Sequence, residues 1–215
     1  MKKASIYSVF FIISIICLST SCSNKTKYLE YDSAGCFSEG LAAVGLDGKY
    51  GYINTQGVEV IPCKYDSAGC FSEGLAPIKL DYKWGFINTK GEEVIPCKYD
   101  FAISFSEGMT AVHEGNYWET GKWGFIDKNG NELSPCKYTL LLNQEFIDFG
   151  PVLKEGLAAV RNADTGKWGF VDNTGKEVIP CKYDYVNRFS KGITDVHLNG
   201  KQFYIDKTGK EYIKY

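Results

Sequence analysis

From residue 31 onward the chain alternates short apolar runs of four to eight residues with clusters of Gly, Asn, Ser, Asp and Thr. The runs are rich in Val, Ile, Tyr, Phe and Trp, which is strand composition bounded by turn residues. No window long enough for a helix keeps a 3.6-residue period. The pattern also recurs. Residues 31–64 read YDSAGCFSEGLAAVGLDGKYGYINTQGVEVIPCK, and residues 65–98 repeat that length with most positions identical. Further copies occupy residues 99–137, 138–182 and 183–215. A 34-residue period is shared with helical repeats, so the internal punctuation decides. Each copy is cut by Ser-Glu-Gly, by Asn-Thr-Lys-Gly and by Pro, or by close variants. Three antiparallel strands per copy are expected, at residues 74–80, 83–88 and 92–98 in the second.

Strand alternation in Lys83-Trp84-Gly85-Phe86-Ile87-Asn88 sends Trp84 and Phe86 to one face and Gly85 and Ile87 to the other. A three-stranded unit cannot bury a face alone, whereas stacked copies can. The expected fold is therefore all-β: five three-stranded units in an open, twisted array. A five-bladed, propeller-like closed ring is the alternative, but 33 or 34 residues barely hold the four strands of a blade. Gly weakens a strand, so the recurring Gly85 slot implies something packed over bare backbone, with a neighbouring aromatic as the expected occupant. The last copy reads Gln202-Phe203 where the others have Trp-Gly or Tyr-Gly, and its Lys207, Lys210, Glu211 and Lys214 suit a charged cap.

These residues resemble the WG repeat family of bacteria, with its Lys-Trp-Gly-[Phe/Tyr]-[Ile/Val]-[Asp/Asn] core followed by Gly, Pro and Lys-Tyr-Asp. The matching signature is Trp84-Gly85, Trp123-Gly124 and Trp168-Gly169, with a Tyr50-Gly51 variant in the first copy. The resemblance spans residues 31–215. It implies a β-repeat architecture, often an envelope location, and no shared enzymatic activity.

Residues 1–22 are an address rather than a fold. Lys2 and Lys3 precede an apolar run at residues 6–18, followed by small polar residues, as in a secretory signal. Such a run spans roughly 20 Å as a helix, short of the ~30 Å hydrocarbon core. Leu18-Ser19-Thr20-Ser21-Cys22 resembles a bacterial lipobox, with the Leu one position early. Cys22 is accordingly expected to be lipidated after removal of residues 1–21, with residues 22–30 as a tether. Simple secretion after cleavage near Ser21 is the alternative. The expected location is the bacterial cell envelope, held to the lipid membrane by the acylated N-terminus, its periplasmic or surface face left open.

Charge and composition narrow the chemistry. The 24 basic and 26 acidic residues give a net charge of -2, which offers nucleic acid no basic face. Loss of Lys2 and Lys3 with the signal makes the body more acidic, so lipid chains rather than a basic patch would hold the membrane. Cys63, Cys97, Cys136 and Cys181 share one slot of successive copies, and Cys36 and Cys70 share another. Copied residues of this type read as small buried hydrophobes. Equivalents would lie three strands apart, roughly 14 Å, too far to bond, although a cross-slot pair such as Cys36 with Cys63 stays open. No metal site or cofactor is expected, since no CxxC exists. His113 and His197 fill a slot that also takes Gly45, Lys79 and Arg161, which describes a solvated position. Glu39, Glu73, Glu107 and Glu155, and Asp32, Asp66, Asp100 and Asp184, recur with their turns and suit turn hydrogen bonding better than acid–base catalysis. No phosphate loop, nucleophile elbow or HExxH is present, and an enzyme is not expected.

Individual function is sought where copies diverge. Copy three carries extra residues with Tyr117 and Trp118, and copy four carries an apolar insertion with Phe146 and Phe149. These four are the candidate contacts, aromatic residues on loops outside the repeated body. The functional expectation is a lipid-anchored, non-catalytic protein-binding or scaffold module. The alternative is a glycan or peptidoglycan binder using exposed aromatics such as Trp118. Oligomeric state is not legible.

Overall fold

The computed structural model describes residues 31–115, 122–139 and 153–212. Within them the chain is all strand and turn, every pairing is antiparallel, and the sheets form an open array. In the second unit the strands are β5 (Ser67–Ala68), β6 (Leu75–Leu80), β7 (Lys83–Asn88) and β8 (Glu93–Tyr99), paired in that order. The last three match the expected strands to within a residue. The first is a two-residue addition: Ala68 pairs with Ile78 and Ser67 with Lys79, lengthening the sheet at its leading edge. Unit one repeats this as β1 (Ser33–Ala34), β2 (Leu41–Leu46), β3 (Lys49–Asn54) and β4 (Glu59–Tyr65). Unit three has β9 (Phe101–Ala102), β10 (Met109–Glu114), β11 (Lys122–Asp127) and β12 (Glu132–Thr139).

Unit four comprises β13 (Leu157–Asn162), β14 (Trp168–Asp172) and β15 (Glu177–Tyr183). Its sheet is joined to that of unit three, because Tyr138 pairs with Asn162 and Thr139 with Arg161, making one seven-stranded sheet. Unit five closes the series with β16 (Tyr185–Val186), β17 (Ile193–Leu198), β18 (Lys201–Asp206) and β19 (Glu211–Tyr212).

Among the described residues the core comprises four apolar clusters, one between each pair of consecutive units. Strand β7 shows how alternation builds them. Phe86 packs with Ile95, Tyr99, Phe105 and Val112 toward unit three, while Ile87 packs with Tyr52, Ile61 and Phe71 toward unit one. Burying a side chain of this size contributes about 1.5–3 kcal/mol, and an isolated unit would gain little of it. Ring contacts recur at three of the four steps: Tyr52 on Phe71 at 4.9 Å, Phe86 on Phe105 at 4.9 Å and Phe170 on Phe189 at 4.8 Å, with Leu153 in the ring's slot at the step from unit three to unit four.

The glycine slot has a different occupant from the aromatic expected. A Cβ on Gly85 would lie 2.5 Å from Ile95 O, 2.7 Å from Cys97 N and 2.8 Å from the Pro96 carbonyl carbon. Backbone, not a ring, covers it. The register of β7 on β8 slips between Trp84–Tyr99 and Phe86–Ile95, so Pro96 and Cys97 bulge over the glycine. Pro is tolerated there because a bulge on an outer strand needs no ladder donor. In unit five Lys214 stands where the other units have Pro, and the glycine slot holds Phe203.

On the side of unit five away from unit four, polar bonding centres on the Asp195 carboxylate. Asn187 Nδ2 donates to Asp195 Oδ1 at 2.7 Å, and Gln202 Nε2 donates to Asp195 Oδ2 at 3.2 Å. Asp195 and Gln202 take slots that hold Pro77 and Trp84 in unit two, on the face that would meet a following unit. An apolar stacking face thus becomes a hydrated one.

Candidate functional site

The repeated carboxylates are held by neighbouring units. The Ser-Glu-Gly segments are tight turns with both central residues at positive φ, 55° at Glu73 and 86° at Gly74. Such turns match strand twist, and glycine supplies one of the two conformations without strain. Glu73 and its equivalents tolerate the other while their carboxylates reach forward. Glu39 accepts the Gly74 N–H at 2.9 Å, Glu73 the Gly108 N–H at 3.0 Å, and Glu155 the Lys191 and Gly192 N–H groups at 2.7 and 3.0 Å. Ser38 and Ser72 hydroxyls add bonds to the Phe71 and Phe105 carbonyls at 2.6 and 2.7 Å. The Gly192 and Lys191 N–H groups, with the Lys207 ammonium, hold the Glu155 carboxyl below its usual range.

At the opposite ends of the strands the Tyr-Asp aspartates do the same in the other direction. Lys49 of unit one pairs with Asp66 of unit two at 2.5 Å, Lys83 with Asp100 at 2.5 Å, and Lys167 with Asp184. Each aspartate also caps the hairpin of its own unit, as in the Gly115 N–H to Asp100 bond of 2.8 Å and the Asn199 N–H to Asp184 bond of 2.7 Å. The Lys49 hydrogen bond sets Asp66 below the ordinary carboxylate range. Unit four has Thr139 in this slot, and Lys122 turns instead to Asp164 at 3.2 Å. Asn88, Asp127, Asp172 and Asp206 bond the backbone N–H groups two and four residues on, closing the remaining turns.

The signature tryptophans lie on the face turned to the next unit. Trp84 packs 5.4 Å from Phe101, and Phe101 lies 5.9 Å from Trp123. Tyr50 pairs with Gly45, Trp84 with Lys79, Trp123 with His113 and Trp168 with Arg161. This corrects the solvated reading of the histidine slot. His113 is 1% exposed and meets the Trp123 ring edge-on at 5.1 Å, and His197 is half-buried against Tyr185 at 5.5 Å. The slot varies because it is fitted to the residue across the strand pair. Gly124 and Gly169 sit under backbone like Gly85, as does Gly51.

The six described cysteines are free. Cys63, Cys97, Cys136 and Cys181 are half-buried at the bulges, and burial pushes the last three thiols up to about 11. Cys36 and Cys70 are exposed, so their slot is not the small buried hydrophobe expected. Among the described residues no group of three His, Cys, Asp or Glu side chains converges as a metal cage would. The candidate contacts Tyr117, Trp118, Phe146 and Phe149, and the candidate lipid-attachment residue Cys22, lie outside the described residues. One exposed aromatic that sequence reasoning passed over is described: Tyr82, at the β6–β7 hairpin, 84% exposed. Its signal was present in the aligned copies, where Asp81-Tyr82 replaces Asp47-Gly48.

No curated protein matches the chain. A solved structure of a protein of unknown function from Bacteroides caccae is similar over 87% of this chain and 81% of that one, at 14% identity and a TM-score of 0.29, and nothing is carried over from it. The family described as WG containing repeat matches residues 28–50, 50–84, 84–118, 123–143 and 168–201. With matches over most of its length and the Trp-Gly slots placed under the bulges of successive units, the chain belongs to the WG containing repeat family.

Proposed function

We propose that this protein is a lipid-anchored cell-envelope repeat protein that acts as a non-catalytic scaffold or protein-binding module. The observation that carries the reading is the engagement of the repeated carboxylates. Glu39, Glu73 and Glu155 bond the turn of the following unit, and Asp66, Asp100 and Asp184 bond the lysine of the preceding one. Groups used to join units are not poised for proton transfer, which requires reach to a substrate proton. A repeat body of this kind offers an extended surface on which divergent loops are displayed.

The anchor rests on the sequence around Cys22. No helix among the described residues is long and apolar enough to cross a membrane. The partner contact is assigned to the copy-four insertion with Phe146 and Phe149. The test expresses the full chain in a bacterial host and separates membranes from soluble fractions. Cys22→Ala should release the protein, and unchanged detergent-phase partitioning of that variant overturns the anchor. Capture from native envelope extracts should yield a discrete protein that Phe146→Ala/Phe149→Ala loses. Capture of glycan alone, lost on Tyr117→Ala/Trp118→Ala, overturns the protein-binding reading.

A further inference from the structure

The β6–β7 hairpin matches the turn length of β2–β3 and β17–β18 but differs from both at the second turn residue. The second turn position is Gly48 in unit one and Gly200 in unit five, at φ 75° and 74°. In unit two it is Tyr82, at φ 66°, following Asp81 at φ 50°. A bulky side chain in the left-handed region is strained, and glycine would remove the strain without loss of packing, because the Tyr82 ring is 84% exposed. The turn is nonetheless held firmly. Its ends are paired through Leu80 and Lys83, and Asp66, which lies close enough to the Asp81 and Tyr82 backbone for it to lower the carboxyl, is fixed by Lys49 at 2.5 Å. The Lys79 ammonium lies 6.0 Å from the ring centre on one side.

We propose that this hairpin is a saccharide contact, with the face of Tyr82 away from Lys79 as the platform for one pyranose ring and Asp81 as a partner for its hydroxyls. A pyranose presents a face of C–H bonds that suits the negative face of an aromatic ring, and its rim needs both donors and acceptors. The exposed Asp81 carboxylate supplies an acceptor beside the ring, and the Lys79 ammonium covers the face that the sugar does not use. A protein hot spot would need an apolar surround to exclude water. Among the described residues the other large exposed apolar side chains, Phe37, Val58, Val60, Val94, Ile193 and Tyr212, lie toward the opposite ends of the strands. The proposal stands apart from the copy-four insertion and does not depend on a protein partner there.

The test titrates the full chain with cellotetraose and with N-acetylchitotetraose, read by saturation-transfer NMR, alongside urea denaturation. At least one tetrasaccharide should bind in about the millimolar range, with Tyr82→Gly weakening it about tenfold or more and Tyr82→Phe retaining it. The Tyr82→Gly midpoint should equal or exceed that of the unaltered chain, so that lost binding is not lost folding. Absence of binding by both sugars overturns the proposal, as does Tyr82→Gly binding as well as the unaltered chain. Loss on Tyr82→Gly of a captured protein, with no saccharide bound, overturns it in favour of a protein contact and leaves the Phe146 assignment to its own variant.

Discussion

The carbonyl carbon of Pro96 lies 2.8 Å from where a Cβ on Gly85 would sit, across the β7–β8 pairing. That relationship ties the two most recognisable features of the repeat, its Trp-Gly and its Ile-Pro-Cys, into one device. The glycine exists to admit the bulge, and the bulge brings Tyr99 back opposite Trp84. Gly85→Ala should therefore lower stability by about 1–3 kcal/mol, the usual range for overpacking against groups that cannot rotate away. Urea denaturation followed by far-ultraviolet circular dichroism measures it. Phe203 fills the same slot in unit five, where Lys214 replaces the proline, so a neutral Gly85→Ala would show that the bulge does not require the glycine.

The joints between units set the acid limit of the fold. The Lys49 ammonium lowers Asp66, the Gly192 N–H lowers Glu155, and the Lys167 ammonium lowers Asp184. Hydrogen bonds from Thr208 and Tyr212 bring Asp206 to about 2. Each group is more acidic folded than unfolded, so its contribution is complete above the unfolded value of about 4 and is lost as pH falls through the folded one. The denaturation midpoint should be flat from neutral pH to about 5 and fall between about 4 and 2. Glu155→Gln, which keeps the shape without the charge, should flatten part of that fall. An unchanged slope would remove the Glu155 joint from the account.

Much of this was legible in the chain and some was not. Alternation in residues 83–88 gives the two-sided burial of Phe86 and Ile87 directly, because adjacent residues of a strand must point apart. The leading strands were missed because Ser67-Ala68 is two residues long and carries no alternation to read. The environment of His113 was misread because exposure depends on what lies across the strand pair, and that is Trp123, ten residues away through an insertion. The occupant of the glycine slot was misassigned because a bulge leaves only a proline as its mark. Of the candidate site, the four insertion aromatics lie outside the described residues. Tyr82 was passed over because a single Tyr-for-Gly exchange is small beside two insertions.

Thiol reactivity should divide along the two cysteine slots. Burial raises Cys97, Cys136 and Cys181 to about 11 and Cys63 above its usual value, whereas Cys36 and Cys70 are exposed. The thiolate is the reactive form, so at pH 8 a thiol at about 11 is largely protonated. Iodoacetamide labelling of the native protein, mapped by peptide mass spectrometry, should modify Cys36 and Cys70 first and the bulge cysteines only on denaturation. Equal labelling rates across both slots would contradict the bulge environment.

Ser134 offers the sharpest case against restoring a repeat to its consensus. Its slot holds Ile61, Ile95 and Ile179 in the other internal units, all buried. Ser134 is 3% exposed, and its hydroxyl lies near that of Tyr138, but no hydrogen bond of good geometry forms at either. An orphaned buried hydroxyl costs about 1–3 kcal/mol, so Ser134→Ala should raise stability. Ser134→Ile should not. Where the slot is Ile, the turn glycine of the next unit packs on its side chain, with a Cβ on Gly91 or Gly130 meeting Ile61 or Ile95 at 3.2 or 3.4 Å. Beside Ser134 the corresponding Gly175 has moved in, and a Cβ there would lie 2.6 Å from the Leu133 carbonyl oxygen. With that turn packed against Leu133 rather than against a slot side chain, Ser134→Ile should cost about 1–3 kcal/mol despite matching its neighbours. Paired denaturation curves for the two variants decide it: a stabilising Ser134→Ile would mean the 172–176 turn can step back to the spacing it keeps elsewhere.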